Sequence, residues 1–177
     1  MDHDLSQLRA EVRALAERVD TLEEASATPH DRAAAPFDDD TFWALTGLQE
    51  RLADHPSTAD GAVMLVGSLT LPTGEPVAWQ QGAGSAGMLE SEWADHAAAF
   101  AALGHPVRIE LLQHILSGTR ATADLAEIES LGTTGQLHHH LRQLIAAGWV
   151  RQSGRGSYEV PAARIVPLLT CVLGAGR

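Results

Sequence analysis

The residues whose types could do chemistry are concentrated between positions 133 and 155 of the 177-residue chain. Glutamine can hydrogen-bond adenine, histidine can bond a base edge or a phosphate, and arginine suits phosphates and the minor groove. A glycine has no side chain to read a base with, but it lets the backbone approach closely. The candidate residues are Thr133, Thr134, Gly135, Gln136, His138, His139, Arg142, Arg151 and Arg155. Together they predict a surface that contacts double-stranded DNA.

Three consecutive histidines, His138 to His140, raise the question of a metal site. On a helix, successive side chains point about 100° apart, so one ion cannot be held by all three. Helical zinc ligands are spaced i, i+4, as in His-Glu-x-x-His, and no such pair occurs. Cys171 is the only cysteine. We therefore expect no metal and no cofactor, and we expect His140 to be packed and hydrogen-bonded. The alternative is a repressor that senses a metal or a small ligand.

Composition narrows the class of protein further. The sequence has no nucleophile–base pair, P-loop or dinucleotide-binding fingerprint, so we expect no catalytic residues and no enzyme. A single cysteine excludes a disulfide framework within one chain and suits a reducing cytoplasm. No apolar run approaches the ~20 residues that span a bilayer, and the acidic N-terminus is not that of a signal peptide. We expect a cytoplasmic protein with no membrane contact.

Local patterns predict a pair of helices that position the candidate residues. Residues 122–128 predict a short helix capped by Thr122, and Gly132 permits the tight turn that follows. Thr133 or Thr134 then caps a second helix. The apolar residues of that helix fall at i, i+4, i+7 and i+8, which predicts one buried stripe. They are Leu137, Leu141, Leu144 and Ile145.

The second helix is expected to end at Gly148, and a hairpin follows it directly. Residues 149–160 read as strand, glycine turn and strand, with Arg151 on the first strand and Arg155 at the tip. Two short helices followed by a hairpin have the layout of a helix-turn-helix with a wing.

Two segments resemble the ArsR-type winged-helix repressors of bacteria. Ala101-Ala-Leu-Gly-His-Pro-Val-Arg-Ile-Glu-Leu-Leu112 is similar to the opening of that domain, and Gly132 to Val150 is similar to its recognition helix and wing entry. The resemblance covers about residues 93–174. It implies that the first and last helices of the domain form a dimer interface. It also implies base-contacting positions at Thr134, Gly135, His138 and His139.

The whole chain is predicted to be mainly α with small β, a winged helix-turn-helix domain preceded by a coiled-coil helix and a helix/β-hairpin module. Within it we expect a helix at 41–54, strands at 62–71 and 76–81, a flexible connection at 82–87, helices at 90–103 and 106–117, and a last helix from Pro161 that Pro167 could kink. The expected domains are a coiled-coil helix (1–25), a linker (26–40), the helix and hairpin module (41–87), the winged helix-turn-helix (88–160) and a dimerisation helix (161–177).

Apolar spacing also predicts a homodimer. A heptad seam near the N-terminus has branched residues at a and leucine at d, which favours a parallel two-stranded coil. A single amphipathic helix packed on its own protomer is the alternative. The seam consists of Leu5, Leu8, Val12, Leu15, Val19 and Leu22. Further interface residues are expected at Trp93, Phe100, Ile165, Leu168, Leu169 and Val172.

The net charge of −11 is unevenly distributed along the chain. Residues 1–104 have 5 Arg against 18 Asp and Glu, a balance of −13, whereas residues 105–160 have 5 Arg against 5 acids. All 12 basic residues are arginines. A neutral domain has little nonspecific affinity for the phosphate backbone, so we expect a dimer to be needed for binding and the affinity to fall steeply with salt.

The sequence as a whole favours a transcriptional repressor that binds a palindromic operator as a homodimer. One alternative is a winged-helix interaction protein whose acidic N-terminal half contacts another protein. An effector acting through that half is also compatible with the sequence.

Overall fold

A computed structural model describes residues 7, 11, 12, 15, 17–19 and 41–176, and the chain divides into two compact units, Met1–Thr46 and Gly47–Arg177. In the first unit the described residues from 7 to 19 are helical, and Val12, Leu15 and Val19 are exposed on that helix. The other heptad positions, Leu5, Leu8 and Leu22, and the predicted linker at 26–40 lie outside the described residues.

The described chain is mainly helical, with two separate two-stranded antiparallel sheets. The helices are α1 (Trp43–Arg51), α2 (Ser85–Glu90), α3 (Ala97–Leu103), α4 (Pro106–Leu116), α5 (Thr122–Ala126), α6 (Thr134–Ala146) and α7 (Ala162–Ala175). The strands are β1 (Ala62–Thr70), β2 (Pro76–Gly84), β3 (Arg151–Gly154) and β4 (Ser157–Glu159). Short 3-10 turns occupy Leu52–Asp54, Pro56–Thr58, Trp93–His96 and Glu129–Leu131. No helix among these residues has the length and apolarity that a bilayer crossing requires.

Half of the eighteen buried apolar residues that the structure describes lie on α4, α6 and α7. Leu111 and Ile115 of α4 and Leu137, Leu141 and Leu144 of α6 are almost fully buried in one cluster. The predicted stripe on α6 is therefore confirmed at three of its four positions. The prediction for the fourth position was wrong, because the Ile145 side chain is 40% exposed. At about 100° per residue Ile145 stands about 80° around the helix from Leu137, at the edge of the buried face.

The β1–β2 hairpin packs on α7 of the same chain. A hairpin alone does not bury a stable core, and here one face of it lies against the last helix. Gly67, paired with Trp79, makes this contact possible, since a Cβ atom built on Gly67 would lie 2.8 and 2.9 Å from the two methyl carbons of Val166. The hairpin is thereby joined to the core through Val166, which is itself buried.

Two sequence predictions between the hairpin and α4 were wrong. Residues 82–87 are not a flexible connection, because β2 runs to Gly84 and α2 begins at Ser85. A side chain at Gly84 would collide with the carbonyl oxygen of Ser57, so this glycine permits a close approach of two backbones. The predicted helix at 90–103 is interrupted at Ser91, whose backbone is extended and whose hydroxyl donates 2.7 Å to the carbonyl of Met88.

The close contact at Gly67 predicts a large effect of a small substitution. Gly67→Ala should lower the free energy of unfolding by about 1–3 kcal/mol, because the added methyl must displace Val166 in a packed region. Urea denaturation followed by tryptophan fluorescence measures this change. The matched control is Gly82→Ala on the paired strand, where a Cβ would meet nothing closer than 3.6 Å. Equal effects of the two substitutions would contradict the packing argument.

Candidate nucleic-acid interface

The start of α6 is fixed by its own side chains. Gly132 has φ = 81°, a conformation that side-chain-bearing residues rarely adopt. Thr133 is the N-cap and forms a capping box with Gln136: the Thr133 side chain accepts from the Gln136 backbone N–H, and Gln136 Oε1 accepts from the Thr133 backbone N–H at 2.8 Å. Of the two predicted caps, Thr133 is the one observed.

The predicted cap of α5 was wrong. Thr122 does not cap that helix; its hydroxyl donates to the Gly156 carbonyl at 2.9 Å, and its backbone N–H donates to the same oxygen at 2.8 Å. Next to it, the Tyr158 N–H donates to the Arg120 carbonyl at 2.9 Å. These bonds join Arg120 and Thr122, the first residue of α5, to the β3–β4 hairpin. They hold the hairpin at a defined place relative to α5.

The nine candidate residues from the sequence are all exposed. Burial of Leu137, Leu141 and Leu144 turns the polar side of α6 to solvent, and the hairpin presents the two remaining arginines. The members on α6 or at its cap are Thr133, Thr134, Gly135, Gln136, His138, His139 and Arg142; those on the hairpin are Arg151 and Arg155.

Two of these residues have less hydrogen-bonding capacity than the sequence alone suggests. Gln136 uses its carbonyl oxygen in the capping box, so only its NH₂ group remains for a base edge, whereas pairing with adenine needs both groups. Arg151 pairs across the hairpin with Glu159, with Nε and Nη2 both 2.6 Å from Oε1. Its charge is already partly balanced. In contrast, no side-chain partner of Arg142 or Arg155 is found within the described part of the chain.

The capping role of Gln136 was visible in the sequence as Thr-x-x-Gln, a capping-box signature. The Arg151–Glu159 pair was not, because it depends on the register of the β3–β4 hairpin, in which these two residues are directly opposite. That register includes an irregularity between Gln152 and Gly154. A local pattern does not predict such a shift.

Behind the polar face of α6, two histidines meet. The rings of His105 and His140 have centroids 4.7 Å apart, and His139 contacts His140 edge to face at 5.6 Å. The Nδ1 atoms of His105 and His140 are buried with no hydrogen-bond partner among the described residues. The expectation that His140 is packed is confirmed, but the expected hydrogen bond is not formed. Burial, then the neighbouring His105, Arg108 and His139, lower the pKa of His140 below its ordinary value.

An open cleft of about 540 Å³ lies beside these histidines, between the start of α4 and the N-terminal half of α6. His105, His139, His140 and Gln136 contribute to its lining. Within residues 41–176 and the few described residues before them, no three histidine, cysteine or carboxylate side chains are grouped so that they could hold a metal ion.

The lowered pKa of His140 predicts a pH-dependent stability. The unfolded histidine, with a pKa of about 6.5, binds a proton more readily than the folded one. This contribution to stability is therefore present above about pH 6.5 and is lost as the pH falls through the folded-state value. As the pH is lowered from 7.5 to 5, the urea midpoint of denaturation should fall less steeply for His140→Phe than for the wild type. His138→Gln, on the solvent side of α6, is the control and should keep the wild-type dependence; identical profiles for all three proteins would refute the prediction.

Comparison of the chain with protein-family models, with curated proteins and with solved structures gave no match.

Proposed function

We propose that residues 88–160 form a winged helix-turn-helix domain and that the protein is a sequence-specific DNA-binding transcriptional regulator. The observation that carries the proposal is the exposed polar face of α6, followed directly by a hairpin whose arginine-bearing tip is fixed relative to α5. The sequence resemblance of residues 93–174 to ArsR-type repressors supports the same conclusion. We expect a repressor, since that family represses.

In this proposal α6 enters the major groove with its N-terminal end first. Thr134, His138 and His139 then face base edges, and Gly135 lets the helix backbone come close to the DNA. A Cβ at Gly135 would have its nearest neighbour at 4.0 Å, so the protein itself leaves that side of the helix open. Arg142 and Arg155 contact phosphates or the minor groove.

Charge makes a dimer necessary for this function. Residues 105–160 are neutral, so one domain offers few cation–phosphate contacts. A homodimer doubles them, and its two-fold symmetry matches a palindromic operator with half-sites about one helical turn apart. Binding by the dimer should weaken steeply as salt concentration rises.

Exposed apolar side chains support a dimer and refine the residues expected at its interface. Trp93 and Phe100 are 63% and 64% exposed, and Val172 is 50% exposed. A partner chain that covered these side chains would remove their apolar surface from water, which favours association. Ile165 and Leu168, also expected at the interface, are buried in the core of their own protomer, so α7 offers a partner mainly Leu169, Val172 and Leu173. The exposed Val12, Leu15 and Val19 suit the proposed coiled coil.

The neutral charge of the DNA-facing domain also favours a second candidate function. In that case the domain is an interaction module with weak or no DNA binding, and the acidic N-terminal half contacts another protein. Fold alone does not separate the two, because winged helices also mediate protein contacts.

A genome-wide capture of bound DNA, followed by titration of the best site at two salt concentrations, tests the proposal. We expect one discrete palindromic site bound by a dimer.

Substituting Arg142 or Arg155 by alanine should weaken binding and reduce the salt slope by about one for each arginine–phosphate interaction that is removed. Arg151→Ala is the matched control on the hairpin and should have a smaller effect, because Glu159 already pairs with that arginine. Weak binding indifferent to sequence and to these substitutions would favour the interaction module.

The dimer is tested separately by sedimentation. Phe100→Asp should convert the dimer to monomers that keep the wild-type circular dichroism, because the charge is placed on an exposed apolar position of α3. Ala98→Asp adds the same charge to the opposite, exposed side of that helix, about 200° away, and should leave the dimer intact. A Phe100→Asp protein that still sediments as a dimer would remove α3 from the interface.

A further inference from the structure

We propose that the cavity between the β1–β2 hairpin, α4 and α7 is a binding site for a small, uncharged amphiphile of medium chain length. Its volume is about 360 Å³, within the range of small-molecule sites. The cavity is partly enclosed. The hairpin contributes Leu69, Leu71 and Pro72, α4 and the residue after it contribute Ile109, Leu112, Gln113, Leu116 and Ser117, and α7 contributes Leu168, Leu169 and Val172.

The lining determines the chemistry of the ligand. All but two of these side chains are apolar, so most of the ligand must be apolar as well. The two polar ones, Gln113 and Ser117, are one helical turn apart and exposed, and they can hydrogen-bond a hydroxyl or amide at one end. Among the described residues no charged side chain lines the cavity, so an ionised carboxylate or amine would be desolvated without a counter-charge. An uncharged alcohol or amide with an alkyl chain fits these groups.

Two walls of the cavity, the hairpin and α7, are held in place by contacts of their own. The turn of the hairpin is closed by the Leu71 N–H donating to the Glu75 carbonyl at 2.9 Å, and Glu75 pairs with Arg120 at 3.4 Å. On the other side, Val166 of α7 is seated against Gly67. Because these elements are anchored, movement of one side chain does not close the cavity. The cavity therefore remains available to a ligand.

The site adjoins the helix that supports the proposed DNA-reading face. Leu112 of α4 lines the cavity, while Leu111 and Ile115 of the same helix belong to the core cluster that includes Leu137 and Leu141 of α6. A ligand that shifts α4 therefore acts on the support of α6. The binding site is independent of the DNA-binding proposal; only this regulatory consequence rests on it.

The test uses the full-length protein and linear 1-alkanols from hexanol to decanol, with binding measured by isothermal titration calorimetry. Affinity should rise about fourfold for each added methylene, the gain from burying one CH₂ group, until the cavity is full. Leu169→Trp fills the cavity from its half-exposed rim and should weaken octanol binding by about tenfold or more, as expected when roughly two fewer methylene groups are buried. Cys171→Trp is the control, since Cys171 is exposed on the same helix, does not line the cavity and is not among the expected interface residues.

Saturable binding that grows with chain length and disappears only in Leu169→Trp would establish the site. Absence of saturable binding, or equal weakening in both variants, would overturn it. Binding that occurs only as the dimer dissociates in sedimentation would also overturn it, because a second copy would then occupy the groove. Operator titration with and without octanol is a separate readout. If the protein binds its operator but no alkanol, only the proposed ligand site is refuted. If it binds alkanols but no operator, the proposed DNA-binding function is refuted and the ligand site stands.

Discussion

Burial of three leucines on α6 is the constraint on which the rest of the structure depends. Leu137, Leu141 and Leu144 are each at most 1% exposed, and removing a core leucine of this kind typically costs about 2–5 kcal/mol. Because they lie on one side of the helix, they fix its rotation and turn its polar face, with His138, His139 and Arg142, outward. The same packing presses His140 against His105 and leaves two imidazole nitrogens without partners among the described residues. The outward face is thus a consequence of packing.

The last helix serves two surfaces at once. Ile165, Val166 and Leu168 are buried in the protomer, and Val166 is also where the hairpin is seated. The other side of α7 keeps Val172 and Leu173 exposed. The helix is therefore more than an apolar tail, since Ile165, Val166 and Leu168 in its first half belong to the core. Only the remaining apolar surface is available to a partner chain.

The elements that the sequence predicted well are those governed by local rules. The buried leucines of α6 follow the helical period, Thr133 is a preferred N-cap, and Gly148 takes a positive φ at the end of the helix. The failures depend on partners distant in sequence. Thr122 bonds the hairpin at Gly156 instead of its own helix, and the segment at 82–87 is ordered by contacts that no local pattern shows. Among the candidate site residues, exposure was predictable, but the pairing of Arg151 was not.

The capping box at Gln136 has a consequence for how the specificity of the proposed DNA-reading face can evolve. A substitution of Gln136 that altered base preference would also remove the hydrogen bond that caps α6. Base preference and helix capping therefore change together at this position. Gly132 is constrained by the same capping box, because a Cβ atom at this position would lie 2.6 Å from Gln136 Oε1. His138 and His139 have no such second duty at the helix start. Relatives that diverge in target sequence should vary first at these histidines and retain the glycine, threonine and glutamine around the turn.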